Sequence, residues 1–274
     1  MAIHSFLKAE RGDPDWQFSP EDYFGKEFKI IDASTVELDE GVSDRVVLRQ
    51  NPTERELLAK HLKVIVQKGS MLEMTILNEV DPNLQQVFLY DIHLKPGSSL
   101  VLGIFAKDGK FNKHIVQVFQ EEGTTFTAFG IASNESAGDT EIVTKIVHQG
   151  EDSTSSQLFL GMAGENSQTV YQGIVVAESA ADGSDISIEN SNLVTGHQGR
   201  CYTKPETYIN AEDVRSDHGC ETQTISLEKI SYLQSRGISA EAAREMIISG
   251  FRAQVISIVT EDSIREEIKE MYAD

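Results

Sequence analysis

Cysteine is almost absent from this chain: only Cys201 and Cys220 occur among 274 residues. Two are too few to staple a secreted scaffold, so both thiols are expected to stay free in a reducing cytoplasm unless they bind a metal or react. Aromatic residues are sparse, with Trp16 the single tryptophan, which argues against a densely aromatic binding surface. Positive charge is scarce as well. Lys and Arg number 24 against 44 Asp and Glu, a net charge of −20, and no basic run occurs. Neutralising phosphates requires clustered Lys and Arg, so nucleic acid is not expected as a partner. The same charge repels anionic membrane surfaces and favours solubility. No stretch approaches the roughly 18–20 uninterrupted apolar residues of a membrane helix, and residues 1–10 hold neither an apolar h-region nor a small-residue cleavage site. A cytoplasmic protein is expected.

What is present divides into three regions: 1–61, 62–224 and 225–274. The first is mixed, with turn formers at Gly12–Asp15 and Ser19–Pro20. Thr53 and Glu56 have the spacing of a capping box, which predicts a short helix through about His61, itself expected at the surface. From Leu62 to Thr224 the dominant period is two. Short β-branched runs such as Val64–Val66, Val87–Leu94, Ser99–Phe105, Glu141–His148 and Gly173–Val176 are separated by Gly, Asn, Asp or Ser, and no helix-period segment interrupts them. This stretch is all-β. A sandwich would use hairpins, for which Asp108–Gly109 and Asp182–Gly183 could supply turns; a solenoid would recur in rungs, and a strand spacing of about 10–15 residues fits two strands per rung. No crisp repeat stands out, and periodicity leaves the two open.

The last region has helical period. Ser226 can cap a helix that Gly237 ends, and Ser239 can cap a second. The apolar stripe of the second comprises Ala243, Met246, Ile247, Gly250, Phe251 and Val255, free to dock on the β body or on another protein. Thr260–Asp262 opens a third helix.

Tyr202–Glu206 (YTKPE), Asp213–Gly219 (DVRSDHG) and Ile230–Ile238 (ISYLQSRGI) follow one another in order. This order resembles the SufB/SufD family, the scaffold subunits of SUF iron–sulfur cluster assembly, over about residues 65–258. The resemblance implies a mainly β fold: a right-handed parallel β-helix core with a short N-terminal region and a C-terminal helical segment. It implies a non-enzymatic platform that carries an iron–sulfur cluster transiently. It also implies a dimer with itself or with a SufB/SufD paralogue, and a separate SufC-like ABC ATPase docked on the C-terminal helices, with Tyr232, Arg236, Met246 and Phe251 as docking residues.

By the same resemblance Cys201 matches a SufB cysteine before the TKPE-like stretch, and His218 matches an interface histidine of both subunits. These two are the expected metal or sulfur ligands. Thiolate and imidazole both suit iron. If residues 216–221 are extended, His218 and Cys220 share a face, although Cys220 stands where alanine is expected. Glu221 is a further candidate, His197 lies in a turn near Cys201 in the chain, and His148 is expected to make a structural hydrogen bond. Carboxylates such as Glu189, Glu206, Glu212, Asp213 and Asp217 show no pair whose spacing demands glycosidase chemistry. A docking subunit that holds no cluster is the alternative.

The segment Gly103–Phe111 is a failed phosphate-binding loop. Its glycines stand one residue too far apart, and Phe111 replaces the Mg²⁺-binding hydroxyl. Purified protein is therefore expected to release no phosphate from ATP above a heat-denatured control, and steady release from the chain alone would contradict this.

Overall fold

In a computed structural model, which describes residues 23–50 and 57–273, strands dominate. In chain order they are β1 (Phe28–Asp32), β2 (Thr35–Leu38), β3 (Ser43–Arg49), β4 (Leu57–Val66), β5 (Met71–Val80), β6 (Gln85–Leu94), β7 (Ser99–Asp108) and β8 (Phe111–Gln120). There follow β9 (Thr125–Asn134), β10 (Asp139–His148), β11 (Thr154–Ala163), β12 (Gln168–Ala177), β13 (Ser184–Val194), β14 (Arg200–Ile209) and β15 (Val214–Thr224). Three helices close the chain: α1 (Leu227–Ser235), α2 (Ala240–Ile256) and α3 (Asp262–Met271).

Successive strands alternate between two sheets. One runs β1-β2-β4-β6-β8-β10-β12-β14 and the other β15-β13-β11-β9-β7-β5-β3. Every pairing is parallel except β1 with β2. The result is a parallel β-solenoid of about 7 turns, two strands to a rung, which settles the sandwich alternative. Asp108–Gly109 and Asp182–Gly183 are corners between sheets, not hairpins, because each strand pairs with its counterpart one turn away.

The corners explain why the rungs stack. Gly41, Gly69, Gly97, Gly123 and Gly183 have positive φ, and Asp152 takes the same place with φ 54°. Each of these six donates its N–H to a carbonyl of the following rung, as Gly69 does to Pro96 at 3.2 Å. A left-handed φ is costly for residues with a Cβ, and Asp is among the few that tolerate it. The residue after most of these corners is a buried hydroxyl: Ser70, Ser98, Thr124, Ser153, Ser184. This short corner pair is the repeat, and it is too brief to stand out in sequence.

Alternation then fills the interior. Leu72, Met74 and Ile76 of β5 stack on Leu100, Leu102 and Ile104 of β7 in one core cluster. The other face of that sheet is apolar too: Leu77, Phe105, Phe129, Ile131, Leu160, Met162 and Leu193 form a second cluster with α2 and α3. A parallel sheet covered on both faces reads as near-continuous apolar runs.

Three sequence expectations shift. Residues 57–61 belong to β4, not to a helix, because parallel pairing with β6 satisfies their backbone; Thr53–Glu56 lies outside the described residues. His61 accordingly packs with Nε2 2.8 Å from Asp91 Oδ2. The rungs begin well before Leu62, since β2 and β3 already pair in register with β4 and β5. On α2 the buried residues are Ala243, Ile248, Phe251, Arg252, Val255 and Ile256, with Met246 54% exposed. The docked stripe is thus rotated from the expected one.

Salt links hold the helices down. Arg45 meets Glu73 and Glu261, Arg49 makes a two-pronged bond to Glu267 at 2.7 Å each, and buried Arg252 bonds Glu135 at 3.0 Å. Partly exposed pairs contribute little each; the apolar layer dominates. Phe251→Ala should cost about 3–5 kcal/mol of stability in urea unfolding, whereas Met246→Ala should stay within about 0.5 kcal/mol. Equal small effects would mean that α2 does not dock as described.

Candidate functional site at the last rung

A parallel sheet satisfies each strand's backbone through its neighbours, so the final strands carry an unpaired edge. Those strands are β14 and β15, one ending each sheet. Among the described residues nothing pairs with their outer edges. Nearly all of β15 is exposed, and β14 presents Tyr202, Tyr208 and Ile209 at 52%, 53% and 46% exposure.

Register assigns the side chains. Cys201 stacks on Thr169, Thr203 on Tyr171, His218 on Ile188, Cys220 on Asn190 and Glu221 on Ser191. Thr169, Tyr171, Ile188 and Asn190 are buried inward residues. Cys201, His218 and Cys220 therefore continue the inner columns on the open end, and His218 and Cys220 share a face as the period of two requires. Glu221 falls on the other face, where it accepts a hydrogen bond from Ser191 Oγ at 3.0 Å. The four candidates do not form one single-face cluster.

The two cysteines sit in different surroundings. Cys201 is half-buried, and its sulfur accepts a hydrogen bond from Thr169 Oγ1 at 3.2 Å. Burial pushes the Cys201 thiol pKa up, against a smaller downward pull from Thr169. Cys220 is exposed. With His218, Asp217, Gly219, Glu221 and Glu189 it borders an open depression of about 390 Å³.

Cys201 and His218 do not meet within one chain. Asn192 Nδ2 donates to Thr203 Oγ1 at 2.9 Å and to Thr222 Oγ1 at 3.2 Å, and Thr203 donates to Asn190 Oδ1 at 2.5 Å. Thr203 thus faces Asn190 and Asn192. Cys201, two residues earlier, stacks over Thr169 beside Gly161, whose column runs through Asn192 to Thr222. Thr222 lies four residues along β15 from His218. No group of three or more His, Cys, Asp or Glu capable of holding a metal occurs among the described residues.

Thr169 and Asn192 shape this end, yet neither belongs to a motif. The available signal was Asn190 and Asn192 at alternate positions inside a β run, where apolar residues are the rule. His148 is buried, with Nδ1 2.6 Å from Ser153 Oγ and Nε2 2.8 Å from Ser155 Oγ, the structural role expected of it. His197 is exposed, and its backbone N–H donates to Glu165 Oε2.

Of the helix residues, Tyr232 is 59% exposed with the Arg236 guanidinium 5.4 Å from its ring centre. Leu227 is 77% exposed, and α1 buries no residue. The caps match expectation: Ser226 and Ser239 accept from Lys229 and Ala242, and Gly237 closes α1 while Ile238 N–H reaches Leu233. Phe251 is the exception. At 4% exposure it belongs to the layer under α2 and is not available for docking a partner. Gly103–Phe111 forms the end of β7, a corner and the start of β8, so it is not the strand–loop–helix of a nucleotide site.

Residues 25–251 match the family model described as "SUF system FeS cluster assembly, SufBD core domain". The chain is 27% identical over 164 residues to an iron–sulfur cluster assembly SufBD family protein of Synechocystis sp., covering 59% of this chain and 36% of that protein. It is 31% identical over 114 residues to iron–sulfur cluster assembly protein SufD of Escherichia coli, covering 42% and 27%. With iron–sulfur cluster assembly protein SufB of Bacillus subtilis it shares 27% over 139 residues, 51% and 30%. In each case the match spans a minority of the relative's length. No helix among the described residues is long and apolar enough to cross a membrane.

The difference between the thiols is measurable. Iodoacetamide at about pH 7.5 should alkylate Cys220 about tenfold faster than Cys201, by peptide mass spectrometry, because Cys220 is exposed whereas Cys201 is half-buried with its thiol pKa pushed up. Equal rates would contradict the burial of Cys201.

Proposed function

The chain belongs to the SufB/SufD family of iron–sulfur cluster assembly proteins, and on that premise we propose that it is a non-catalytic scaffold subunit whose last rung holds a nascent cluster between two chains. The supporting observation is the uncapped rung itself, which carries Cys201, His218 and Cys220 on its open end. A partner's edge strand satisfies the free backbone groups of β14 and β15. The partner is a second copy of this chain or a SufB/SufD paralogue. The second copy is the simpler choice, because one chain here combines the SufB-like cysteine with the histidine found in both subunits.

The chemistry follows from that division. Cys201 of one chain and His218 of the other complete a ligand set that neither chain has alone. Thiolate binds iron and sulfur as a soft ligand, and imidazole is a second suitable donor. Cys220 and Glu221 are supplementary ligands at the rim. The cluster is cargo, held and passed on. Energy comes from a separate SufC-like ABC ATPase docked on α1 and the exposed side of α2 through Tyr232, Arg236 and Met246. The reading is cytoplasmic, with no role for membrane or nucleic acid.

A second reading is favoured by the raised pKa of Cys201: a docking subunit that carries no cluster. Anaerobic reconstitution with iron and sulfide separates the two. The scaffold should develop absorbance near about 400 nm that Cys201→Ser abolishes; no absorbance under any condition leaves the docking role alone. The double variant Tyr232→Ala/Met246→Ala should weaken capture of a SufC-like ATPase by about tenfold or more, and unchanged capture would exclude these helices as the platform.

A further inference from the structure

The interior of the early rungs holds side chains that the protein does not satisfy by itself. Gln50, Asn78, Gln86, Asn112 and His114 are all buried, the last four at 1% exposure or less. They are neighbours. Gln86 and Asn112 are register partners on β6 and β8, and Asn112 and His114 share one face of β8. Gln50 extends β3 beside β5, its N–H donating to Leu77 O at 2.9 Å.

Only part of this group is internally bonded. Asn78 Nδ2 donates to Gln86 Oε1 at 3.0 Å, and His114 Nε2 lies 3.1 Å from Asn78 Oδ1. Since that oxygen only accepts, Nε2 carries the proton and Nδ1 of the neutral ring is a bare acceptor. Burial holds the His114 pKa down at about 3, so the ring stays neutral. Six atoms then lack a partner: His114 Nδ1, Gln86 Nε2, and both polar atoms of Asn112 and of Gln50. Buried polar groups without partners are destabilising and rare.

The pattern of the six selects their ligand. A cation would call for converging acceptors and an anion for converging donors. Here amide donors and carbonyl or ring acceptors alternate on uncharged side chains, a mixture that water satisfies from both sides. We propose that this part of the solenoid interior is a closed, hydrated chamber, with resident waters bridging Asn112, Gln86, Gln50 and His114 Nδ1. The later rung at His148 makes the contrast. Both ring nitrogens there already meet serine hydroxyls, and no water is called for.

High-resolution crystallography of the full chain tests this directly. Water density within hydrogen-bond distance of the Asn112 amide and of His114 Nδ1 is the expected result. A dry interior with the amides turned onto one another, or density for an ion or an organic molecule, would overturn it. Asn112→Leu gives an independent reading. Displacing bonded water should lower Tm by about 2–6 °C, whereas removing a truly orphaned amide should raise it. If that variant does not fold, the native map decides.

Discussion

The hydrogen-bond ladder between successive rungs is the constraint on which everything else rests. Each parallel strand is completed by the strand one turn away, and each of six corners hands its N–H to the next rung through a left-handed residue. Such a structure can lengthen indefinitely, because every rung offers the next what it received from the last. It must therefore stop somewhere, and the manner of stopping decides the chemistry of its ends. At one end antiparallel β1 folds back on β2. At the other, β14 and β15 stop with an edge that no other described residue pairs.

The helices respond to the same constraint. A parallel sheet has two faces, and the seven-stranded sheet of this solenoid is apolar on both. Chain leaving the last rung therefore has an apolar surface to return over. α2 and α3 take that path and are pinned at their rims by Arg45, Arg49, Lys107 and Arg252. The return leaves α1 beside the open rung with no buried side chain. Free edge strands and an uncommitted helix end up at the same end of the molecule.

The geometry of the open end also accounts for the separation of Cys201 from His218. Residues on successive strands of one rung face each other across the interior, so a given position on β14 has a fixed opposite on β15. Asn192, bonded to Thr203 and Thr222 together, sets that correspondence and places Cys201 away from His218.

How much was legible beforehand differs by level. The period of two from Leu62 onward revealed the strands, and serine caps with Gly237 revealed the helices, because these signals are local. Three ordered blocks around Tyr202, His218 and Tyr232 carried the resemblance to the family. Parallel pairing was legible only through that resemblance, which implied a parallel β-helix, and not from the local pattern, which left sandwich and solenoid open. It joins residues a full turn apart, and its only local trace is a glycine–hydroxyl pair at the corners. The helix expected through His61 gave way to β4 because pairing with β6 outweighs a local cap. The stripe on α2 rotated because helical period names an apolar side but not the ridge of Phe105 and Phe129 that selects it. Sequence alone determined which residues could do chemistry, since thiols and imidazoles are few. Only the tertiary structure decided which of them share a face, which are buried like Phe251, and which wait at an open edge, because those depend on the neighbour one rung away.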